Sequence, residues 1–363
     1  MVVLNMKAMR SAFIMGIVIT SFASGQGARN GTSGASQLMV PQGARYLSGG
    51  GATANAVGID AIFWNPAGLA RAESNVSAIF SRRNYIADIG VNFFGAGVKL
   101  GSFGSLAVTA RSFDIGEIPV TTVFSPDGTG AKFEPSFFVV GATYSKLLTD
   151  RTSLGLNVNL VNEGFAGVNA SAVTFDAGVQ YYNFLNISGL AIGVVLKNFG
   201  GPMTYEGSAL WTEAQVTGSN RQTEWYKVEA AAFDMPFVMD IGANYRLDLG
   251  AGSLDLGATF ENNHFAQDEY RLMAQFSLGD LGTVRFANVT TAVVKVEDDP
   301  KTEDINEKEL YKDAPLENIF AGFSFGATLN LKQFTGLDLS IDYAFIATTV
   351  FADNQIFALR LGF

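Results

Sequence analysis

Cysteine is absent from the 363 residues, which excludes disulfides, thiol nucleophiles, thiolate metal ligands and the acylated cysteine that anchors a lipoprotein. Histidine occurs once, at His264, too few imidazoles for a His-rich metal site. In a short connection that residue reads as an exposed loop histidine before a catalytic base, so no catalytic residue, cofactor or metal is assigned. Gly49-Gly50-Gly51 lacks the Lys-Ser or Lys-Thr pair of a phosphate loop. Charge is also scarce: 16% of residues are charged, and 34 acids exceed 24 bases. That acidic balance argues against a nucleic-acid partner. Beyond residue 25 no apolar run reaches the roughly 18 residues of a membrane helix, so a bilayer could be crossed only with strands.

What is abundant is glycine, 40 residues, and phenylalanine, 30. The first 25 residues read as an export signal: Lys7 and Arg10 precede an apolar stretch from Ala12 to Thr20, and Ala23-Ser24-Gly25 supplies small residues for cleavage. A short membrane anchor is the rival reading. Removing Lys7 and Arg10 takes the formal charge from -10 to -12.

After residue 73 the dominant pattern has a period of two. Leu254, Leu256, Ala258 and Phe260 alternate with Asp255, Gly257, Thr259 and Glu261. Leu337, Leu339, Ile341, Tyr343 and Phe345 alternate with Asp338, Ser340, Asp342 and Ala344, and Leu154, Leu156, Val158 and Leu160 with Gly155, Asn157 and Asn159. Carboxylates turned to a lumen can stay hydrated, whereas against acyl chains they would cost a few kcal/mol each. The pattern predicts fourteen strands near residues 74–84, 89–100, 104–115, 133–148, 152–163, 169–182, 188–199, 235–249, 252–263, 267–279, 281–293, 317–332, 336–348 and 353–363. Most reach the roughly 9 to 11 residues of a tilted spanning strand.

The expected fold is therefore all-β: a transmembrane antiparallel barrel over residues 73–363 in the bacterial outer membrane, in contact with its lipid. The long connections 116–132, 200–234 and 294–316 follow the third, seventh and eleventh strands, while short turns fall after even strands, the parity of an outer-membrane barrel. A large soluble β-sandwich or propeller also alternates and is the competing architecture. The acidic run Glu297 to Glu309 lacks EF-hand spacing and reads as a solvated external loop. Connection 200–234 carries Tyr205, Trp211, Trp225, Tyr226 and Phe233, either an external binding surface for a partner or hydrophobic ligand, or the loop's own small core. Phe357, Leu359, Leu361 and Phe363 share one face of the last strand and resemble the C-terminal signal read by the barrel assembly machinery, so deleting Phe363 is expected to reduce insertion.

Residues 26–72 differ from the rest, with small residues from Gly43 to Ala56 running into Asp60-Ala61-Ile62-Phe63-Trp64-Asn65-Pro66-Ala67-Gly68-Leu69-Ala70. Small residues suit a segment threaded through a confined space, Pro66 fixes a turn torsion, and Asn65 can bond its neighbouring backbone. This segment resembles the PorV/PorQ family within the FadL-type outer-membrane proteins. The resemblance implies an N-terminal plug inside a fourteen-stranded barrel, with Asn65, Pro66, Ala67 and Gly68 in its hatch. It further implies an accessory or shuttle of type IX protein secretion, working with secretion components and exported cargo. The FadL side implies the alternative, passive uptake of hydrophobic small molecules. A general-diffusion barrel is a third reading, and the lining of the lumen separates them: apolar for a lipid route, polar for diffusion.

Overall fold

The computed structural model describes residues 31–46, 52–215, 222–279, 281–291, 322–348, 351 and 353–363. The expected export signal, the Gly49-Gly50-Gly51 run, connection 294–316 and the acidic run within it lie outside the described residues.

Alternation of small or polar with apolar side chains, rich in Val, Phe, Thr and Gly, produces fourteen long strands. They are β1 (Val76–Asn84), β2 (Gly90–Lys99), β3 (Ser105–Asp114), β4 (Ser136–Leu147), β5 (Thr152–Phe165), β6 (Val168–Tyr182) and β7 (Leu190–Gly200). The second half comprises β8 (Val238–Asp248), β9 (Ser253–Asn263), β10 (Glu269–Leu278), β11 (Gly282–Thr291), β12 (Gly322–Asn330), β13 (Asp338–Ile346) and β14 (Asn354–Gly362). Each pairs antiparallel with the next in sequence, and β1 pairs with β14 from Ser77↔Gly362 to Asn84↔Gln355. The ring is closed, so none of the fourteen is left as an unpaired edge.

Burial follows the period of two. In β5, Gly155, Asn157, Asn159 and Val161 are buried and face inward, while Leu154, Leu156, Val158 and Leu160 are exposed outward. Long connections follow β3 and β7, and that after β5 is only Ala166-Gly167. We call the end of the barrel carrying these odd-numbered connections the loop end. The opposite, turn end holds the even-numbered turns, with Val76 and Phe363 bonded to each other through their backbones.

Two local departures have physical causes. The strand expected from residue 235 starts at Val238, because Pro236 has no N–H to donate and the β7–β8 ladder stops at Lys197↔Val238. Between β6 and β7 the register slips between Phe175↔Phe199 and Ala177↔Leu196, a bulge placing Asn198 at φ 61°. Asp176 Oδ1 accepts the Asn198 N–H at 2.7 Å, satisfying the amide the bulge frees from the ladder.

Candidate functional site

Residues 31–46 and 52–72 lie against the inward-facing side chains of the barrel wall. Gly31 N–H donates to Phe265 O (3.1 Å) and Gly34 N–H to Asp234 O (3.0 Å), both in loop-end connections. At the other extreme, Arg71 Nη2 donates to Asp150 O in the β4–β5 turn (3.1 Å). The described parts of this inner segment therefore reach contacts at both ends of the barrel before the chain enters β1.

Asn65 is its most heavily bonded polar residue. It caps the short 3-10 helix Pro66–Arg71, with Oδ1 accepting the Ala67 N–H at 3.1 Å and Pro66 at the first helical position. Its Nδ2 donates to Thr53 O (2.9 Å) and to the wall carbonyls of Val179 on β6 (3.1 Å) and Val194 on β7 (3.5 Å). Ser145 on β4 accepts from Ala70 N–H at 3.2 Å, and its single hydroxyl hydrogen lies within reach of both Ala67 O (3.1 Å) and Leu154 O (2.9 Å). Gln180 on β6 donates to Thr53 O (3.2 Å) and Ala56 O (2.9 Å). Asn65, Pro66, Ala67 and Gly68 are brought together and all are buried. At Gly68 a Cβ would stand 2.0 Å from Ala56 O, so only glycine fits.

The wall is cut to receive this segment by four inward glycines. A Cβ on Gly155 of β5 would stand 2.2 Å from Ala67 N, and one on Gly178 of β6 2.1 Å from Asn65 Oδ1. One on Gly193 of β7 would stand 2.3 Å from Thr53 O, and one on Gly242 of β8 2.9 Å from Thr53 Cβ. Gly155 pairs with Gly178 and Gly193 with Gly242, giving a hollow across four adjacent strands. A glycine at an inward strand position is the signal that could have disclosed it, since such residues mark close backbone approach.

The inward carboxylates, expected to be hydrated, are instead buried and paired, because the inner segment fills the space water would occupy. Lys197 Nζ lies 2.9 Å from Asp240 Oδ2 and 3.7 Å from Glu261 Oε2. Arg271 reaches Glu261 at 2.7 Å and Glu269 at 2.6 Å. Arg246 pairs with Asp255 (3.0 Å), and Arg360 with Asp342 (2.8 Å) and Asp60 (3.3 Å). Asp60 thus ties the inner segment to β14, a contact the sequence reading missed. Asp176 is held by Asn157 Nδ2 (2.7 Å) and Asn159 Nδ2 (2.9 Å) as well as by the bulge amide.

Between inner segment and wall remains a cavity of about 40 Å³ with two characters. Leu38, Met39, Ile62, Phe63 and Phe93 give it an apolar side; Arg111, Asn159, Asp176, Lys197 and Arg271 give it a polar one. Arg111 lies 5.6 Å from the Phe63 ring centroid and donates from Nη1 to Gln37 O at 2.8 Å. A water takes roughly 10–15 Å³ on this kind of measure and a benzene-binding cavity about 150 Å³, so the space suits a few waters.

The five aromatic residues of connection 200–234 do not form one surface. Tyr205 turns into the barrel mouth, donates its hydroxyl to the buried Glu163 carboxylate, and packs on a cluster of Ala35, Leu38, Val139, Val161, Ala170, Met203 and Met235. Phe233 contacts the Tyr205 ring edge-on at 6.2 Å. Trp211, Trp225 and Tyr226 stand on an exposed hairpin, Trp211–Ala214 paired with Glu224–Lys227, whose Trp211 and Trp225 share one face. The loop therefore has both a packed root and an exposed arm. His264 is exposed in the β9–β10 connection against Phe265. Phe357, Leu359 and Leu361 point outward along β14, and Phe363 continues the face with 70% of its surface exposed. Among the described residues no group of three or more His, Asp or Glu could hold a metal ion.

No protein-family profile and no curated protein sequence matches the chain. Among solved structures, the toluene transporter TodX of Pseudomonas putida aligns with a TM-score of 0.51 at 12% identity, over 89% of this chain and 98% of TodX. A second TodX crystal structure gives 0.49 at 12% identity over the same shares. Outer membrane protein Omp33 of Acinetobacter baumannii gives 0.40 at 6% identity, over 80% of this chain and 98% of Omp33. At such identities the likeness is one of fold: the chain is a closed fourteen-stranded antiparallel barrel sharing the architecture of TodX along nearly its whole length.

Proposed function

We propose that the protein is an outer-membrane channel that admits small hydrophobic molecules passively, with residues 31–72 acting as its plug. The observation that carries this reading is the inner segment itself. Its described residues make contacts at both the loop end and the turn end and are bonded to β4, β6, β7 and β14, and the cavity lined by Leu38, Phe63, Arg111 and Arg271 holds about 40 Å³. The lumen lining is mixed, charged on the wall and apolar where Leu38, Met39, Ile62 and Phe63 of the segment face the cavity, so the lining alone does not separate a lipid route from diffusion, and the apolar face is what favours a hydrophobic solute. The shared architecture with a toluene transporter supports the same reading. Open passage requires the plug to move, because the cavity is about a quarter of what a benzene-sized solute fills. The outward apolar surface, with its aromatic residues, suits the lipid of an outer membrane.

A second reading, an accessory of type IX secretion that receives exported cargo, is favoured by the PorV/PorQ-like segment from Gly43 to Ala70 and by the exposed hairpin bearing Trp211, Trp225 and Tyr226. One experiment separates the two: affinity capture of the detergent-extracted native protein, analysed for bound proteins and for extracted lipophilic molecules, beside uptake of labelled toluene by cells expressing it. Toluene uptake above the empty-vector rate, with lipophilic molecules and no protein partner captured, supports the channel. Vector-level uptake with captured secretion components or cargo overturns it in favour of the second reading.

A further inference from the structure

The root of the β7–β8 connection and the start of the inner segment meet at the loop end. Met203–Thr204 pairs with Ala232–Phe233, giving the root a two-stranded base. Gly34 N–H donates to Asp234 O at 3.0 Å, and a Cβ on Gly34 would lie 3.0 Å from Phe233 Cβ and 3.1 Å from Met203 Cε. Asn198, on the bulge, donates to Pro236 O (3.0 Å) and contacts Met39 Sδ (3.6 Å), so one wall residue touches both pieces.

We propose that residues 31–39 and the loop root, residues 201–205 and 232–237, form a single lid over the lumen, latched to the wall by the Tyr205 hydroxyl on Glu163. The inference rests on the channel reading and says which part opens first. Below Val40 the inner segment is seated in the glycine hollow and bonded to β1, β2, β4, β6, β7 and β14. Above it, the lid meets the wall through the apolar cluster of Ala35, Leu38, Met203 and Met235 on Val139, Val161 and Ala170. Apolar contact is non-directional, and methionine repacks readily because its chain is unbranched, so this seat can separate and re-form. The directional contacts among the described residues lie at its margins, and Gly31 N–H on Phe265 O (3.1 Å) with His264 N–H on Phe237 O (3.3 Å) ties both pieces to the β9–β10 connection. Tyr205 with Glu163 is the latch, Asn198 bridges the two pieces, and Arg111 grips the Gln37 and Val40 carbonyls (2.8 and 3.4 Å) as the lower hinge. The short ladder Glu206–Gly207 on Asn169 and Val168 forms the upper hinge. Lifting the lid uncovers a methionine-lined apolar step above the charged lumen, and a small apolar solute takes the place the Met203 and Met235 side chains vacate.

The Cys-free chain makes the test direct. Gly34→Cys with Phe233→Cys places the two Cβ atoms 3.0 Å apart, so the pieces must ease apart by about half an ångström to reach the roughly 3.5–4.5 Å of a disulfide; Phe233→Cys alone is the control for the lost ring contact with Tyr205. This bond should leave toluene uptake unchanged, because the proposed lid moves as one body. Loss of uptake in the oxidised protein, restored by dithiothreitol, would overturn the single-body lid. The latch is read separately, by the rate at which an external thiol reagent reaches Thr109→Cys in the lumen. Adding Tyr205→Phe should raise that rate at least about tenfold, the loss of one hydrogen bond to a carboxylate. An unchanged rate overturns the latch. This second measurement does not require transport, so wild-type protein that takes up no toluene would sink the channel reading while the labelling rate still decides the lid.

Discussion

Replacing Gly155 by alanine should loosen the inner segment while leaving the barrel wall intact. The added methyl would stand 2.2 Å from Ala67 N and from Pro66 C, and 2.5 Å from Pro66 O. All three are backbone atoms with no rotamer to yield. Ordinary contact begins at 3.4 Å, so residues 66–67 must retreat by about 1.2 Å. A retreat of that size breaks the Ser145 bonds to Ala67 O and Ala70 N–H and the Asn65 bond to Val179 O. At about 1 kcal/mol net for each, the docked state loses on the order of 3 kcal/mol, or about two powers of ten in the undocking equilibrium. Hydrogen exchange of amides in residues 52–72, followed by mass spectrometry in detergent, should accelerate about a hundredfold, while β5 amides and the heat-modifiable barrel band on gels stay unchanged. Gly201→Ala is the control, because a Cβ there meets nothing within 4 Å. Wild-type exchange in Gly155→Ala would refute the glycine hollow as the seat of the segment, and loss of the barrel band would show that segment and wall fold as one unit.

Asn65 gives a second test, since aspartate is ordinarily as good a helix cap as asparagine. Here Asn65 Nδ2 faces the carbonyls of Thr53, Val179 and Val194, so a carboxylate would confront three acceptors. Asn65→Asp should therefore increase exchange in residues 52–72 more than Asn65→Ala does, and the reverse order would remove the wall contacts from the explanation. At the other end of the chain, Phe363→Ala should lower the inserted fraction in a membrane fractionation assay without shifting the thermal unfolding of the protein that does insert. Its ring is exposed, while its backbone still bonds Val76. Equal insertion would rule out an assembly role for the ring.

The period-two alternation was sufficient to read the fourteen strands, their facing and, among the described residues, the long connections after the third and seventh strands. An inward carboxylate such as Asp255 or Asp342 flanked by outward leucine or tyrosine leaves one orientation of the strand compatible with an apolar exterior. Asn65-Pro66 was likewise legible as a tight helical start, because capping is a local interaction between residues two apart. Partnerships between distant parts of the chain were not legible. Asp60 meets Arg360 three hundred residues away, Gly155 and Gly178 admit Ala67 and Asn65, and Tyr205 leaves its loop for Glu163 while Trp211 and Trp225 remain outside. Local periodicity reports which face a residue occupies but not what is opposite it, and barrel closure decides that. The sequence by itself therefore determined the wall, whose hydrogen bonds join neighbours in chain order. Only the tertiary structure decided the filling of the lumen, because that depends on where the inner segment comes to rest against strands far apart in the chain, such as β1, β4, β7 and β14.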